Sequence, residues 1–209
     1  MEDILSSIKQ LKKDKQLIGL INKKMEEFKK IKHLSKEIIF KELCFCVLTA
    51  NCSAEKCLEV HDNIGDGFIS YSEEKLAKKL KDFGYRFPNT RASYIVKNRS
   101  YIDQVNQLAK KGGNELELRK WVVNNILGLG YKEGSHFLRN IGFLNYAIVD
   151  FHIVDLLVEY GLIEKPKAMT KMKYLEIEKI LIKIAQNADL NLANLDLFLW
   201  YMKTGKILK

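Results

Sequence analysis

Proline is nearly absent from this chain: only Pro88 and Pro166 interrupt 209 residues. That is too few for a turn-rich β architecture, and it leaves long helices unbroken. Arginine is scarce too, with five residues (Arg86, Arg91, Arg99, Arg119, Arg139) among 35 basic ones. Base reading through a large array of bidentate guanidinium contacts is therefore not indicated, whereas lysine point charges suit phosphate. No run of about 18 apolar residues is present to form a membrane-spanning helix, and the opening MEDILSSIKQLKKDKQ lacks the apolar stretch of a secretory signal. A soluble, intracellular (cytoplasmic) protein with no membrane partner is expected. The four cysteines, Cys44, Cys46, Cys52 and Cys57, fall within fourteen residues and lack the paired, well-separated spacing of a zinc ribbon or finger. They read as buried free thiols in a reducing compartment, with no metal site.

What is present is positive charge and helical pattern. The formal net charge is +9 and the pI about 9.2, which fits an anionic partner, although a solvated lysine surface has the same composition. The excess sits at the two ends: residues 1–36 hold ten lysines against five acids, residues 165–209 nine against four, and residues 37–164 sixteen basic groups against seventeen acidic. Ends folded together would create one positive face, as a duplex backbone requires. Hydrophobic residues make up 47%, enough at this length for a substantial core in one domain or two small lobes.

Apolar residues recur at helical spacing from Ile4, Leu5, Ile8 and Leu11 through Leu17, Leu20, Ile21 and Met25, and the fold class predicted is all-α. The nearly continuous apolar run from Ile38 to Ala50 marks the most buried helix. Ser53 caps the next one, and Ser72-Glu73-Glu74 starts another after an expected loop over His61 to Tyr71. A second loop covers Phe83 to Thr90. Helices then follow over 91–109, 114–127, 133–142, 150–161, 173–188 and 191–203, with Gly112-Gly113 separating the first two.

The stretch Leu127-Gly128-Leu129-Gly130-Tyr131-Lys132 joins two of these helices, and Asp150 follows its lysine by eighteen residues. A Gly-x-Gly turn can turn its N–H groups outward toward a phosphate because glycine tolerates positive φ, and the next helix adds its positive end. The same glycines also serve as an ordinary helix cap and tight connection. A lysine that attacks carbon must be neutral, and with an ordinary pKa of about 10.4 it needs more help than a helix dipole supplies, so Lys132 is expected to be partly buried. Asp150 ends an apolar approach at a helix start, where it can cap and remain an oriented anion. His33, His61 and His136 lack metal-like spacing and read as surface or packing residues. His152, two positions after Asp150, suits a phosphate or pocket contact and equally a helix-start role.

With hairpin, lysine and aspartate together, LGLGYKEGSHFLRNIG and AIVDFH resemble the helix-hairpin-helix DNA glycosylases, matching in order and spacing. The usual Gly/Pro before the acid is replaced here by Ile148-Val149. FCVLTANCSAEK resembles the segment that probes the duplex where the base has left, with Asn51 at the inserting position, and GYRFPNTRASYIVKNR, containing Arg91, resembles a segment near the base pocket. LFLWYMKTGKILK closely resembles the tail of the compact archaeal-type 8-oxoguanine DNA glycosylases, and the likeness covers nearly the whole chain.

This resemblance implies a two-lobed unit with the active-site cleft between lobes 38–131 and 1–37 plus 132–209, and a helix-hairpin-helix motif over 115–142. It implies excision of 8-oxoguanine by Lys132 as nucleophile and Asp150 as essential acid, followed by β-elimination through a Schiff base, without cofactor or metal. Phe87, Trp200 and Lys209 are implied in base recognition; Asn51, Arg91, Gly128, Gly130 and His152 are expected at DNA. The expected partner is double-stranded DNA containing oxidised guanine, bound by a monomer. Two other readings stay open: a glycosylase of this kind for another damaged base, and a non-catalytic DNA-binding module.

Overall fold

A computed structural model describes residues 1–50 and 52–208; Asn51 and Lys209 lie outside the described residues, and so do the roles expected of them. The described residues form thirteen α-helices and one 3₁₀ turn, with no strand among them. They are α1 (Glu2–Leu11), α2 (Lys15–Ile31), α3 (Lys36–Thr49), α4 (Ala54–Ile64), α5 (Gly67–Ser70), α6 (Glu73–Asp82) and α7 (Pro88–Asn98). After the turn at Arg99–Tyr101 come α8 (Ile102–Lys111), α9 (Glu115–Asn125), α10 (Tyr131–Asn140), α11 (Phe151–Glu159), α12 (Lys171–Asn187) and α13 (Leu192–Thr204).

Short polar residues set most of the starts. Ser53 accepts a hydrogen bond from Lys56 N and Ser72 from Lys75 N, as their positions predict, and Asp14, Ser35, Asn114, Thr170 and Asn191 act in the same way. Each cap satisfies an N–H that the helix itself leaves open and contributes about 1 kcal/mol.

The structure corrects three expectations. The segment His61–Tyr71 is not a loop throughout, because α4 runs on to Ile64 and Gly67–Ser70 forms a helical turn that buries Phe68. The helix expected over 91–109 starts earlier, with Pro88 at its first position, where a missing N–H costs nothing. It then breaks at Arg99–Tyr101, where the Arg99 side chain leaves the helix surface and donates to the carbonyls of Gly67 and Phe68.

Helix α3 is buried at ten of its fourteen positions and lies at the centre of the largest apolar cluster. That cluster runs from Ile39 to Tyr146 and takes in Phe137, Leu138 and Ile141 from the end of α10. A second cluster joins Ile4 and Ile8 of α1 to residues of α11, α12 and α13, and a third joins α2 to Ala193, Leu197 and Phe198 of α13. Both chain ends thus pack together, which brings the two lysine-rich regions into one part of the molecule. Cys44, Cys46 and Cys57 are buried free thiols and Cys52 is half-buried. Burial pushes the Cys44 thiol well above its ordinary value.

Candidate active site

The turn between α9 and α10 is held from below by a side chain that its sequence position does not advertise. Asn98, fully buried at the end of α7, donates to Leu127 O (3.0 Å) and accepts from Leu127 N (2.9 Å), replacing the partner strand that a free loop lacks. Gly128 has φ +85°, and a Cβ there would lie 2.7 Å from Tyr94 Cδ2 and 3.4 Å from Arg91 Nη1. Only glycine fits on both counts. Gly130 differs from the expectation: its φ of −92° is ordinary, and it serves as the N-cap of α10.

Lys132 is the second residue of α10, with its side chain 25% exposed and its Nζ 3.1 Å from Glu133 Oε1. The other oxygen of Glu133 accepts from Gly130 N at 3.3 Å. Asp150 is the N-cap of α11 and accepts from Ile153 N at 2.9 Å. Burial pushes the Asp150 carboxyl above its ordinary value, against the Ile153 N–H and the nearby charges of Lys132 and His152, which favour the anion. The two groups placed together by spacing alone thus stand within electrostatic reach of each other, each at the positive end of a helix.

The approach to Asp150 is fixed by a buried polar network. Tyr174 OH donates to Ala147 O (2.7 Å), accepts from Val149 N (3.3 Å) and lies 3.2 Å from the Ser135 hydroxyl. Arg119 donates to Ser135 Oγ (3.2 Å) and grips both oxygens of Glu178 at 2.5 and 2.8 Å. Its guanidinium also faces the rings of Tyr131, Tyr146 and Tyr174. Three helices, α9, α10 and α12, and the segment that leads into α11 are therefore locked around the residues that precede and carry Lys132 and Asp150.

Beneath Asp150 lies a second buried pair, Arg139 Nη2 and Asp196 Oδ2 at 3.5 Å, with side chains 4% and 10% exposed. Arg139 lies over the Phe28 ring, 4.4 Å from its centre. Burial raises the Asp196 carboxyl to about 6, with Arg139 opposing and Asp150 adding to the rise. The pair joins α10, which bears Lys132, to α13, which bears Trp200.

Other sequence-predicted residues are placed as follows. The His152 ring packs edge-on to Trp200 at 4.7 Å and against the exposed Phe151 at 3.9 Å, so His152 and Trp200 adjoin Asp150. Phe87 stands half-open at the start of α7 with the Arg86 guanidinium 5.0 Å from its ring centre. No ring contact joins Phe87 to Trp200 among the described residues. Arg91 is buried and donates to Ala50 O at 3.2 Å, so it braces the end of α3 against the hairpin. His136 is buried edge-on to Phe45, a packing position. After α13 the tail is tied to α4 by Lys206 and Glu55 at 2.9 Å. Sequence reasoning missed Asn98, Arg119, Glu178, Arg139, Asp196 and Glu133. The available signal was a polar or charged side chain at a position where the helical apolar stripe calls for a hydrophobe.

Comparison with known proteins places the chain and its fold in a family. The family described as 8-oxoguanine DNA glycosylase matches residues 21–190. A Korarchaeum cryptofilum protein named 8-oxoguanine DNA glycosylase/AP lyase is 46% identical over 210 residues, spanning 100% of this chain and 99% of its own. The crystal structure of the Methanocaldococcus jannaschii 8-oxoguanine glycosylase/lyase in complex with a 15mer DNA containing 8-oxoguanine matches with a TM-score of 0.94 and 44% identity over 99% of each chain. That of the 8-oxoguanine DNA glycosylase of Thermotoga maritima matches with a TM-score of 0.93 and 39% identity over 100% of each. With its fold, its hairpin and nearly its whole length shared with these proteins, the chain belongs to the 8-oxoguanine DNA glycosylase family.

Proposed function

We propose that the protein is a bifunctional DNA repair glycosylase and AP lyase that excises 8-oxoguanine from double-stranded DNA. The observation that carries the reading is the partly enclosed Lys132 at one helix start with the oriented Asp150 carboxyl at another, within reach of its charge. The duplex lies in the cleft between two lobes, one spanning residues 38–131 and the other residues 1–37 plus 132–209. The hairpin at Gly128 and Gly130 takes a backbone phosphate, His152 a neighbouring one, and Asn51 enters the space that the base vacates. Arg91 keeps the hairpin in place at DNA. The everted base stacks between Phe87 and Trp200, with Lys209 at its edge.

In this mechanism the neutral Lys132 Nζ attacks C1′ of the everted nucleotide while the bond from C1′ to the base breaks, and the base leaves with that electron pair and gains a proton. Asp150, an anion in a poorly solvated site, stabilises the positive charge that develops on the sugar. Loss of a proton from nitrogen and opening of the sugar give the Schiff base. Removal of a C2′ proton then expels the 3′ phosphate. The protein acts as a monomer inside the cell, and its own side chains suffice for these steps.

Borohydride trapping on duplexes that each contain one lesion tests the reading. A covalent adduct on 8-oxoguanine DNA, lost in Lys132→Gln, supports it. An adduct only with a different lesion, or binding without any adduct, overturns it.

A further inference from the structure

Glu133 bridges the two halves of the proposed site with a single carboxylate. One oxygen accepts from Gly130 N, an N–H at the hairpin turn proposed to take phosphate, and the other pairs with Lys132 Nζ. The side chain is 14% exposed, so it is held in this bridge and does not wave in solvent. A capping box accounts for only half of the arrangement, since one oxygen satisfies the N-cap N–H and a glutamine can make that same hydrogen bond. The second oxygen, on Lys132, serves no capping purpose, and the negative charge favours the helix start by only about 0.3–1 kcal/mol. Both are also in the wrong place for DNA binding, because a carboxylate on a phosphate-binding N–H competes for the donor and repels the anion that should replace it.

We propose that Glu133 is a positioning residue that holds the phosphate seat and parks Lys132 in the DNA-free protein, and that an incoming backbone phosphate evicts it. The inference rests on the roles proposed above for the hairpin and for Lys132. Eviction breaks both contacts at once because they belong to one group, so the nucleophile is released only when DNA occupies the hairpin. The lysine then turns from α10 toward Asp150 and the sugar. A free amine competent to attack other carbonyl compounds is thereby withheld until its substrate arrives. The same charge weakens binding to undamaged DNA, which shortens the stay on each unproductive site.

The test compares full-length wild type with Glu133→Gln and Glu133→Ala, using a fluorescently labelled undamaged duplex between about 50 and about 200 mM salt. Removing one anion from the phosphate contact should tighten binding roughly three- to tenfold, and should steepen the slope of log affinity against log salt by up to about one. Under single-turnover conditions on 8-oxoguanine DNA the gain appears in the half-saturating concentration and not as a fall in the limiting rate. The alanine variant, which also loses the cap, should melt lower yet show the same gain in affinity. Unchanged or weaker binding in both variants overturns the inference, as does a limiting rate more than about tenfold lower with binding unchanged. Trapping of the wild type on the lesion duplex runs alongside. If it fails, the parent reading fails; if it succeeds while the Glu133 variants bind like wild type, only the eviction is refuted.

Discussion

Replacing Arg119 by methionine keeps most of the aliphatic volume but leaves the Glu178 carboxylate, 10% exposed, without either of its hydrogen-bond donors. Breaking a buried ion pair from one side costs about 3–5 kcal/mol, because the surviving charge keeps its desolvation penalty and loses its compensation. In a chain of this length about 1 kcal/mol moves the melting temperature by roughly 2–4 °C, so Arg119→Met should melt about 6–20 °C lower. The double variant Arg119→Met with Glu178→Leu removes both charges and should recover most of that loss. Ser135 and Tyr174 lose their Arg119 anchor in either case, and through them Ala147 and Val149 lose part of their tether. The rate of borohydride trapping at a temperature where all variants are folded should therefore fall in both, the recovered stability notwithstanding. Circular dichroism melting and single-turnover trapping read the two effects separately. A drop of less than about 3 °C in the single variant, or a double variant no more stable than the single, would refute the account of this network.

Asp150→Asn keeps a good N-cap while removing the charge, so trapping should fall at least about a hundredfold without unfolding. Because burial raises the Asp150 carboxyl in the fold, its contribution to stability is full below the ordinary carboxylate value and declines as pH rises through the raised one. The asparagine variant should accordingly gain on wild type between acid and neutral pH in denaturant unfolding, and a constant difference across that range would contradict the assignment. Asp196, raised to about 6 from 3.8, follows the same sign: wild type loses on the order of 3 kcal/mol between about pH 4 and about pH 7 from this group, and Asp196→Asn should show a correspondingly shallower decline. Gly128→Ala forces a side chain into a φ of +85° and against Tyr94. About 1–3 kcal/mol of stability should be lost, together with duplex affinity by anisotropy, and a variant that binds DNA like wild type would remove the hairpin from the interface.

How much of this was legible in the sequence depended on how far apart the interacting residues lie. The hairpin and both residues proposed to react are local features: Gly128, Lys132 and the capping Asp150 each announce themselves within a few positions, and Ser53 and Ser72 mark their helix starts in the same way. The all-helical class follows from periodicity, which is also local. By contrast, Asn98 acts on Leu127 across 29 positions and Arg119 on Glu178 across 59. No periodic pattern encodes such partners. The break at Arg99–Tyr101 was hidden for the same reason, since the carbonyls that draw Arg99 out belong to Gly67 and Phe68. The Gly-x-Gly pattern overstated the need for glycine at position 130, where the backbone is ordinary, and was right at 128, where a neighbouring ring decides the matter.

The electrostatics of Asp150 show why an incompletely satisfied carboxylate suits the proposed chemistry. A helix start favours its anion by about 0.3–1 kcal/mol. Yet that contribution, the N–H groups of Ile153 and His152, and the charges of Lys132 and His152 together do not outweigh burial, and the carboxyl stays above its ordinary value. The group is therefore short of positive partners in the resting fold. On the proposed pathway the base leaves with the electron pair of its bond to C1′ and positive charge develops on the sugar, so the interaction of Asp150 with its surroundings becomes strongest at the transition state. Only such differential stabilisation accelerates the step. A carboxylate saturated by further N–H donors would be more stable at rest and would gain less from the developing cation, so on the proposed pathway the sparse N–H partners of Asp150, at Ile153 and His152, serve the chemistry as well as the cap.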